Sequence, residues 1–116
     1  MMRSSTFGSE SHSHADQNSF VLEAYGEPLA VPSGLYNLYS SAHHHGWTRQ
    51  TKAHNGVTFD GAGQIVRDAE AIGKFTGYYR DARLTYALGD ASAAYGSRVK
   101  RCARSVLCLD DRLYVL

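Results

Sequence analysis

The sequence is short of net charge and of long apolar runs. Twelve Lys and Arg residues face eleven Asp and Glu residues, which leaves a formal charge of +1. No strong positive field therefore draws the chain to DNA, RNA or anionic lipid, and we expect neither a nucleic-acid nor a membrane partner. No apolar run approaches the roughly 20 residues that cross a bilayer. The first residues also lack the apolar stretch of a secretion signal, so the sequence alone predicts no compartment.

Cysteine is scarce as well. The only two, Cys102 and Cys108, would lie roughly 20 Å apart in an extended strand, which rises about 3.3 Å per residue. That separation is too large for a disulfide between them. We therefore expect two half-buried thiols in a sheet rather than a disulfide framework or a metal pair.

Alternating apolar residues predict one small domain made mainly of antiparallel strands. The length of 116 residues suits a single domain, and 43% hydrophobic with 20% charged residues is ordinary for a globular chain. Residues 20–31 alternate and turn at Gly26-Glu27-Pro28, as a β-hairpin does. Further strands are predicted at 57–59, on both sides of Arg80-Asp81, and on both sides of Asp110-Asp111. Residues 64–73 fit a helical turn or a loop, and residues 91–95 a short helical turn.

These strands predict which side chains form the core and where the chain is cut. The expected core residues are Phe20, Leu22, Val57, Phe59, Leu84, Tyr86, Val106 and Leu113. The last predicted strand ends on apolar residues with no polar tail, and natural domains normally avoid such an edge. We therefore expect residues 1–116 to be one partial domain of a longer protein.

The six histidines all precede Asn55 and offer the best candidates for chemistry. His12 and His14 flank Ser13, and side chains at i and i+2 of an extended chain share a face. Two such imidazoles can divide their roles, one binding a metal and the other contacting substrate as acid, base or cation. His54 could add a third imidazole from a neighbouring strand. The alternative is a set of surface or hydrogen-bonded histidines.

Several spaced segments together resemble one known family. They are SHSHADQNSF (11–20), GEPL (26–29), SG (33–34), HHHGWTR (43–49), AHN (53–55), DGAGQ (60–64) and GDASAAY (89–95). In this order, and over almost the whole chain, they resemble the C-terminal β-domain of the heparinase II/III family, and within it the oligoalginate lyases. The resemblance implies an all-β fold, an antiparallel β-sandwich truncated at its C-terminus.

The resemblance also implies a reaction. Family members are polysaccharide lyases that cleave glycans containing uronic acid by β-elimination, here alginate-like oligosaccharides. A base removes the proton at C5, an acid protonates the departing O4, and a 4,5-unsaturated sugar remains. A proton next to an ionised carboxylate is barely acidic, so the carboxylate must first be neutralised by positioned donors or cations.

Carried over by the resemblance, His12 is an active-site residue, and His14 and His54 are zinc ligands. Pro32 stands where the family has a ligand aspartate, so zinc would need Asp16 or water to complete its usual four ligands. This substitution leaves the metal in question.

Aromatic and basic residues complete the predicted site. Tyr36 and Tyr39 are the catalytic tyrosine candidates, although both could merely pack or line the cleft. Trp47 and Arg49 are predicted to bind substrate, with Arg49 either gripping a carboxylate or forming a loop salt bridge. His43-His44-His45 are expected to line the cleft or to lie on an exposed loop, because consecutive residues rarely reach one ion.

The family enzymes place an (α/α) toroid of helices before this domain, and the chain contains none. We therefore expect the isolated chain to be inactive unless such a domain is supplied separately. A periplasmic or secreted location would suit a full-length relative. The alternatives are a carbohydrate-binding or structural β-domain without catalysis, and a small metal-binding β-protein.

Overall fold

The computed structural model describes residues 1–35, 38–110 and 112–115, and at Leu113 the backbone alone. Two antiparallel sheets form the architecture. One is a hairpin of β1 (Leu22–Ala24) and β2 (Glu27–Ala30). The other has four strands in the order β3-β4-β5-β6, namely Lys74–Arg80, Leu84–Asp90, Ala103–Leu109 and Leu113–Val115. The predicted all-β, antiparallel fold is confirmed.

Helical structure is limited to short turns. A π-helical segment covers His44–Thr48, and 3₁₀ turns cover Thr51–Ala53 and Ser92–Arg98. The last of these confirms the predicted helical turn after Asp90, whose Oδ1 accepts a hydrogen bond from the Ser92 N–H at 2.8 Å. None of the helices in the described part of the chain has the length and apolarity to cross a membrane.

The predicted hairpins are confirmed, but one predicted strand is wrong. The first hairpin turns at Tyr25 and Gly26, which both have positive φ, as a tight two-residue turn requires. The turn predicted at Gly26-Glu27-Pro28 is wrong in its position, because Glu27 and Pro28 belong to β2 and pair with β1. At residues 57–59 the structure has only an isolated bridge between Phe59 and Ala62. The turn at Asp60-Gly61 exists, but residues 64–73 return as a loop and offer no strand for pairing.

The core lies at one end of the four-stranded sheet and is built largely from small residues. Its buried members are Ala71, Ala91, Ala94, Tyr95 and Cys102, with Phe59, Ile65 and Val99 packed against them. Of the predicted core, Phe59 contacts this cluster and Phe20, Leu22, Leu84, Tyr86 and Val106 are half-buried. Val57 was predicted to be buried and this is wrong, since it is 36% exposed. The side chain of Leu113 lies outside the described residues.

A buried polar segment, residues 15–19, passes beside this core. The Gln17 N–H donates to Oε1 of Gln64 at 2.8 Å, and Nε2 of Gln64 donates back to the Gln17 carbonyl at 2.7 Å. The Thr51 hydroxyl donates to the Ala15 carbonyl at 2.8 Å, and the Asn18 amide donates to Gly89 of β4 at 2.9 Å. A buried polar group without a hydrogen bond lowers the stability of the fold, so these hydrogen bonds fix the conformation of the segment. They also fix the end of the His12-Ser13-His14 loop that precedes it.

Candidate functional site

Arg49 holds the loop that carries His12 and His14. Its side chain is 1% exposed. Nε donates to the Ser13 carbonyl at 3.3 Å, and Nη2 donates to the Ser11 carbonyl. These two carbonyls bracket His12, so the guanidinium sets the path of the loop. The structure places Arg49, which was predicted to grip a substrate carboxylate or to form a loop salt bridge, inside the domain, where its side chain bonds to backbone carbonyls.

The rings of His12 and Tyr39 pack against each other in a tilted arrangement at the surface. Their ring centroids are 4.2 Å apart with 31° between the planes. His12 is exposed and Tyr39 is 40% exposed, so both rings are accessible to a ligand. The structure therefore brings together two of the predicted catalytic residues, which lie 27 positions apart in the sequence. The other candidate, Tyr36, lies outside the described residues.

His44 lies beneath this pair. Its ring is 5.2 Å from that of Tyr39 and 6.0 Å from that of His14, and the residue is 1% exposed. Nδ1 accepts a hydrogen bond from the Ser40 N–H at 3.1 Å. The three consecutive histidines thus divide, with His43 exposed, His44 buried and His45 half-buried. The expectation of cleft lining or an exposed loop missed the buried role of the middle residue.

His14, Asp16 and His54 form a group that could hold a metal ion. One ligand atom from each residue lies within 4.8 Å of the other two. The rings of His14 and His54 are 5.2 Å apart. The approach of these two rings is as predicted, but neither residue lies on a strand: His14 belongs to a loop and His54 follows the Thr51–Ala53 turn.

Hydrogen bonds orient two of these candidate ligands. Nε2 of His54 lies 3.0 Å from the Thr48 carbonyl, and a carbonyl only accepts, so this nitrogen carries the proton. In the neutral ring Nδ1 then keeps the lone pair that a metal needs. Asp16 accepts a hydrogen bond from Arg3 in an ion pair. No sequence pattern pointed to Arg3, because its pairing with Asp16 depends on the tertiary fold.

The environment keeps the inner histidines neutral. Burial is the main cause that lowers the pKa of His14, followed by the charge of His54, while Asp16 opposes the shift. Burial and then the charge of Arg49 lower the pKa of His44. Neutral imidazoles at neutral pH are therefore expected at both positions.

Trp47 forms a surface platform beside this site. Its Nε1 donates to the Ser33 carbonyl at 3.0 Å, and Nζ of Lys52 lies 5.3 Å from the ring centroid. A Cβ on Gly34 would lie 2.8 Å from Cδ1 of the indole, so the ring needs a glycine there. Trp47 is 37% exposed, so part of its side chain is accessible to a ligand.

Comparison with known families gives one result. The model of the family described as "Heparinase II/III-like, C-terminal" matches residues 1–110. A search of curated proteins found no match.

Proposed function

The chain belongs to the heparinase II/III-like, C-terminal family, and from this premise we propose that it supplies part of the reaction centre of a polysaccharide lyase. The substrate we propose is a glycan that contains uronic acid, of the alginate-like oligosaccharide class. The observation that carries the proposal is the exposed His12–Tyr39 pair, whose rings lie 4.2 Å apart beside a group of candidate metal ligands.

The pair suits both proton transfers of a β-elimination. We assign to the imidazole of His12 the removal of the C5 proton. The electron pair of that C–H bond becomes the C4–C5 double bond, and the C4–O4 bond breaks. The hydroxyl of Tyr39 gives its proton to O4, which leaves as an alcohol. Histidine and tyrosine are common acids and bases in enzymes, and a positioned one contributes about 10²–10⁴-fold to a rate.

The metal we propose is zinc, bound by His14, Asp16 and His54. Nitrogen and carboxylate ligands suit zinc, and the Thr48 carbonyl already orients the His54 ring. Asp16 takes the part of the carboxylate that Pro32 cannot provide. When bound, the ion adds positive charge beside the reaction site and ties the His14 loop to the turn before His54. The three ligand atoms lie within 4.8 Å of one another, so one ion can reach all three.

The surface is open, which agrees with a site that another domain completes. His12, Tyr39 and Trp47 all face solvent, and a lyase needs a cleft that encloses the sugar and neutralises its carboxylate. We propose that a helical domain of the family's toroid type closes this cleft, and that the isolated chain does not turn over. Trp47 then stacks on a sugar ring of the bound oligosaccharide.

The test measures the ultraviolet absorbance of the unsaturated uronate during incubation with alginate oligosaccharides. We expect no absorbance from the chain alone and a steady rise when a helical domain of this family is supplied. In that assembly, Tyr39→Phe should lower the rate about 10²-fold or more. The matched control is Tyr25→Phe, since Tyr25 is 97% exposed at the tip of the first hairpin. Equal rates for both variants would remove Tyr39 from the reaction.

A carbohydrate-binding domain without catalysis is the second candidate. The observation that favours it is the same open surface, with Trp47 and Tyr39 available for stacking on sugar rings. Binding of the oligosaccharide without any unsaturated product, even with the helical domain present, would select this function.

A further inference from the structure

Arg67 is an exposed cation beside the site that nothing above has used. Its Nη2 lies 3.4 Å from Nδ1 and 3.3 Å from Nε2 of His45. Nearly equal distances to both ring nitrogens describe a contact shared by the ring rather than one bond aimed at a single nitrogen. Among the described residues, only Arg3 and Arg83 pair with a carboxylate. The charge of Arg67 is therefore not neutralised by a carboxylate of this part of the chain.

The Arg67–His45 pair lines an open groove of about 270 Å³. The other lining residues are Gln50, Val66 and the buried Arg49, so none of the acidic side chains that the structure describes lines this space. Nε2 of Gln50 donates to the His45 carbonyl at 2.7 Å, which fixes one wall. Sites for drug-sized ligands have about 300–1,000 Å³, so this groove suits a single sugar residue. Its charge selects an anionic one.

Arg67 has a strained backbone conformation, which hydrogen bonds to Ser9 hold in place. Its φ of +58° lies in the left-handed region, which is costly for a residue with a side chain. Buried Ser9 maintains this conformation: its carbonyl accepts from the Arg67 N–H at 3.1 Å, and its hydroxyl accepts from the Asp68 N–H at 3.2 Å. A strained residue persists only where the surroundings enforce it, and such positions concentrate at functional sites.

The groove adjoins the proposed reaction centre. A chain of ring contacts leads from His45 to His44 at 5.3 Å, to Tyr39 at 5.2 Å and to His12 at 4.2 Å. After burial, the charges of Arg49, His45, His12 and Arg67 all lower the pKa of His44. The groove and the His12–Tyr39 pair therefore belong to one connected patch of side chains, joined through His44.

We propose that Arg67 and His45 form a subsite that binds the carboxylate of a uronate residue next to the one that is cleaved. This inference rests on the proposed function, and it makes Arg67 a residue that determines specificity. The planar guanidinium can grip a carboxylate with two parallel N–H donors, which a lysine cannot do.

The test is calorimetric titration of the full chain with an alginate tetrasaccharide at low salt, with an uncharged cello-oligosaccharide for comparison. We expect wild type to bind the acidic sugar at least tenfold more tightly than the neutral one. Arg67→Gln should lose about tenfold in affinity for the acidic sugar alone, and Arg67→Lys should lose part of it. The matched control is Arg80→Gln, because Arg80 is an exposed arginine on β3.

A second variant separates binding from folding. Arg67→Gly removes the strained side chain, so its melting temperature should equal or exceed that of wild type while its affinity falls as in Arg67→Gln. Wild-type affinity in Arg67→Gln, or an equal loss in Arg80→Gln, would overturn the subsite and leave the proposed function intact. Failure of wild type to bind the acidic sugar would count against both.

Discussion

Arg49 shows how one buried residue controls the geometry of the candidate site. Its guanidinium donates to the carbonyls of Ser11 and Ser13, and its own carbonyl accepts from the Ala15 N–H at 2.9 Å. Its Nη1 is buried and finds no hydrogen-bond partner among the described residues. Arg49 thus holds the loop that presents His12, and the exposed side chains around it are the ones that can contact a ligand.

Replacing this guanidinium should loosen the loop. Arg49→Lys keeps the charge but cannot reach both carbonyls, so one of the two part-buried hydrogen bonds from the guanidinium is lost. We expect the free energy of unfolding to fall by about 1–3 kcal/mol, measured by urea denaturation. The same change at Arg80, which is exposed, should stay within about 0.5 kcal/mol of wild type. Wild-type stability in Arg49→Lys would show that the loop keeps its conformation without the two hydrogen bonds from the guanidinium.

Tyr95 gives a pH dependence whose direction can be worked out. Burial raises the pKa of its hydroxyl to about 12, against a smaller opposing effect of the hydrogen bond from Gln64. The unfolded chain then loses the tyrosine proton near pH 10 while the native state keeps it. The contribution is therefore fully present below pH 10 and is lost as the pH rises towards 12.

The variant Tyr95→Phe isolates this effect. In wild type, Tyr95 donates to the Val57 carbonyl at 2.6 Å and accepts from Gln64 at 3.2 Å. Its loss should cost about 1–2 kcal/mol at neutral pH. Urea midpoints measured from pH 9 to 12 should fall less steeply in the variant than in wild type. Parallel curves would show that the ionisation of Tyr95 is not coupled to folding.

At the scale of elements, the sequence predicted the hairpins because each has both an alternating pattern and a turn. It failed at Val57–Phe59, where the turn exists but the returning segment has no alternation to pair with. It also missed most of the core, because Ala71, Ala91 and Ala94 are small residues whose burial leaves little trace in an apolar pattern. Strand signals are local, whereas these contacts depend on how the loops return.

The candidate site was predictable in part for the same reason. The spacing and the family resemblance pointed to His12, His14 and His54, and the structure brings the last two within 5.2 Å. The burial of Arg49 and the pairing of Asp16 with Arg3 depend on contacts between distant segments. Arg67 left no pattern in the sequence, since its position follows from a left-handed backbone held by Ser9.

The turn beside Trp47 carries a prediction at this scale. Gly34→Ala adds a Cβ that would meet the indole at 2.8 Å, so the ring must move. Gly61→Ala is the matched control, because Gly61 has a similar φ of +77° but open space around it. Both changes should cost stability, roughly 1 kcal/mol or more for a side chain in the left-handed region.

Of these two variants, only Gly34→Ala should change the surroundings of the Trp47 indole. Trp47 is the single tryptophan of the chain, so its fluorescence reports this position alone. We expect a shifted emission maximum in Gly34→Ala and a wild-type spectrum in Gly61→Ala. The same spectrum in both variants would mean that the close contact with Gly34 does not determine the position of the indole ring.

In the molecule as a whole, hydrogen bonds between buried polar groups supply much of the stability that a large apolar core supplies in other domains. β3 is exposed along six of its seven residues, including Phe75 at 47% and Tyr78 at 67%. The fully buried side chains include Arg49, His44 and Thr51. A small domain built in this way gains comparatively little from apolar burial, so a bound metal should matter to its stability.

Zinc should therefore raise the melting temperature. At a free concentration of about 100 times Kd, a ligand specific for the native state adds about 2.7 kcal/mol. For a domain of this size that corresponds to roughly 10 °C in a thermal melt. His14→Ala should abolish the shift, whereas the exposed His43 replaced by Ala should retain it. An undiminished shift in His14→Ala would place the metal elsewhere.

The proposed reaction centre is the exposed surface formed by His12 and Tyr39. The most direct measurement is the initial rate of unsaturated-uronate formation by the chain assembled with a helical domain of its family, for wild type, His12→Ala and His43→Ala. We predict that His12→Ala lowers this rate by about 10²–10⁴-fold with an unchanged melting temperature, and that His43→Ala matches wild type. An undiminished rate in His12→Ala would contradict the account.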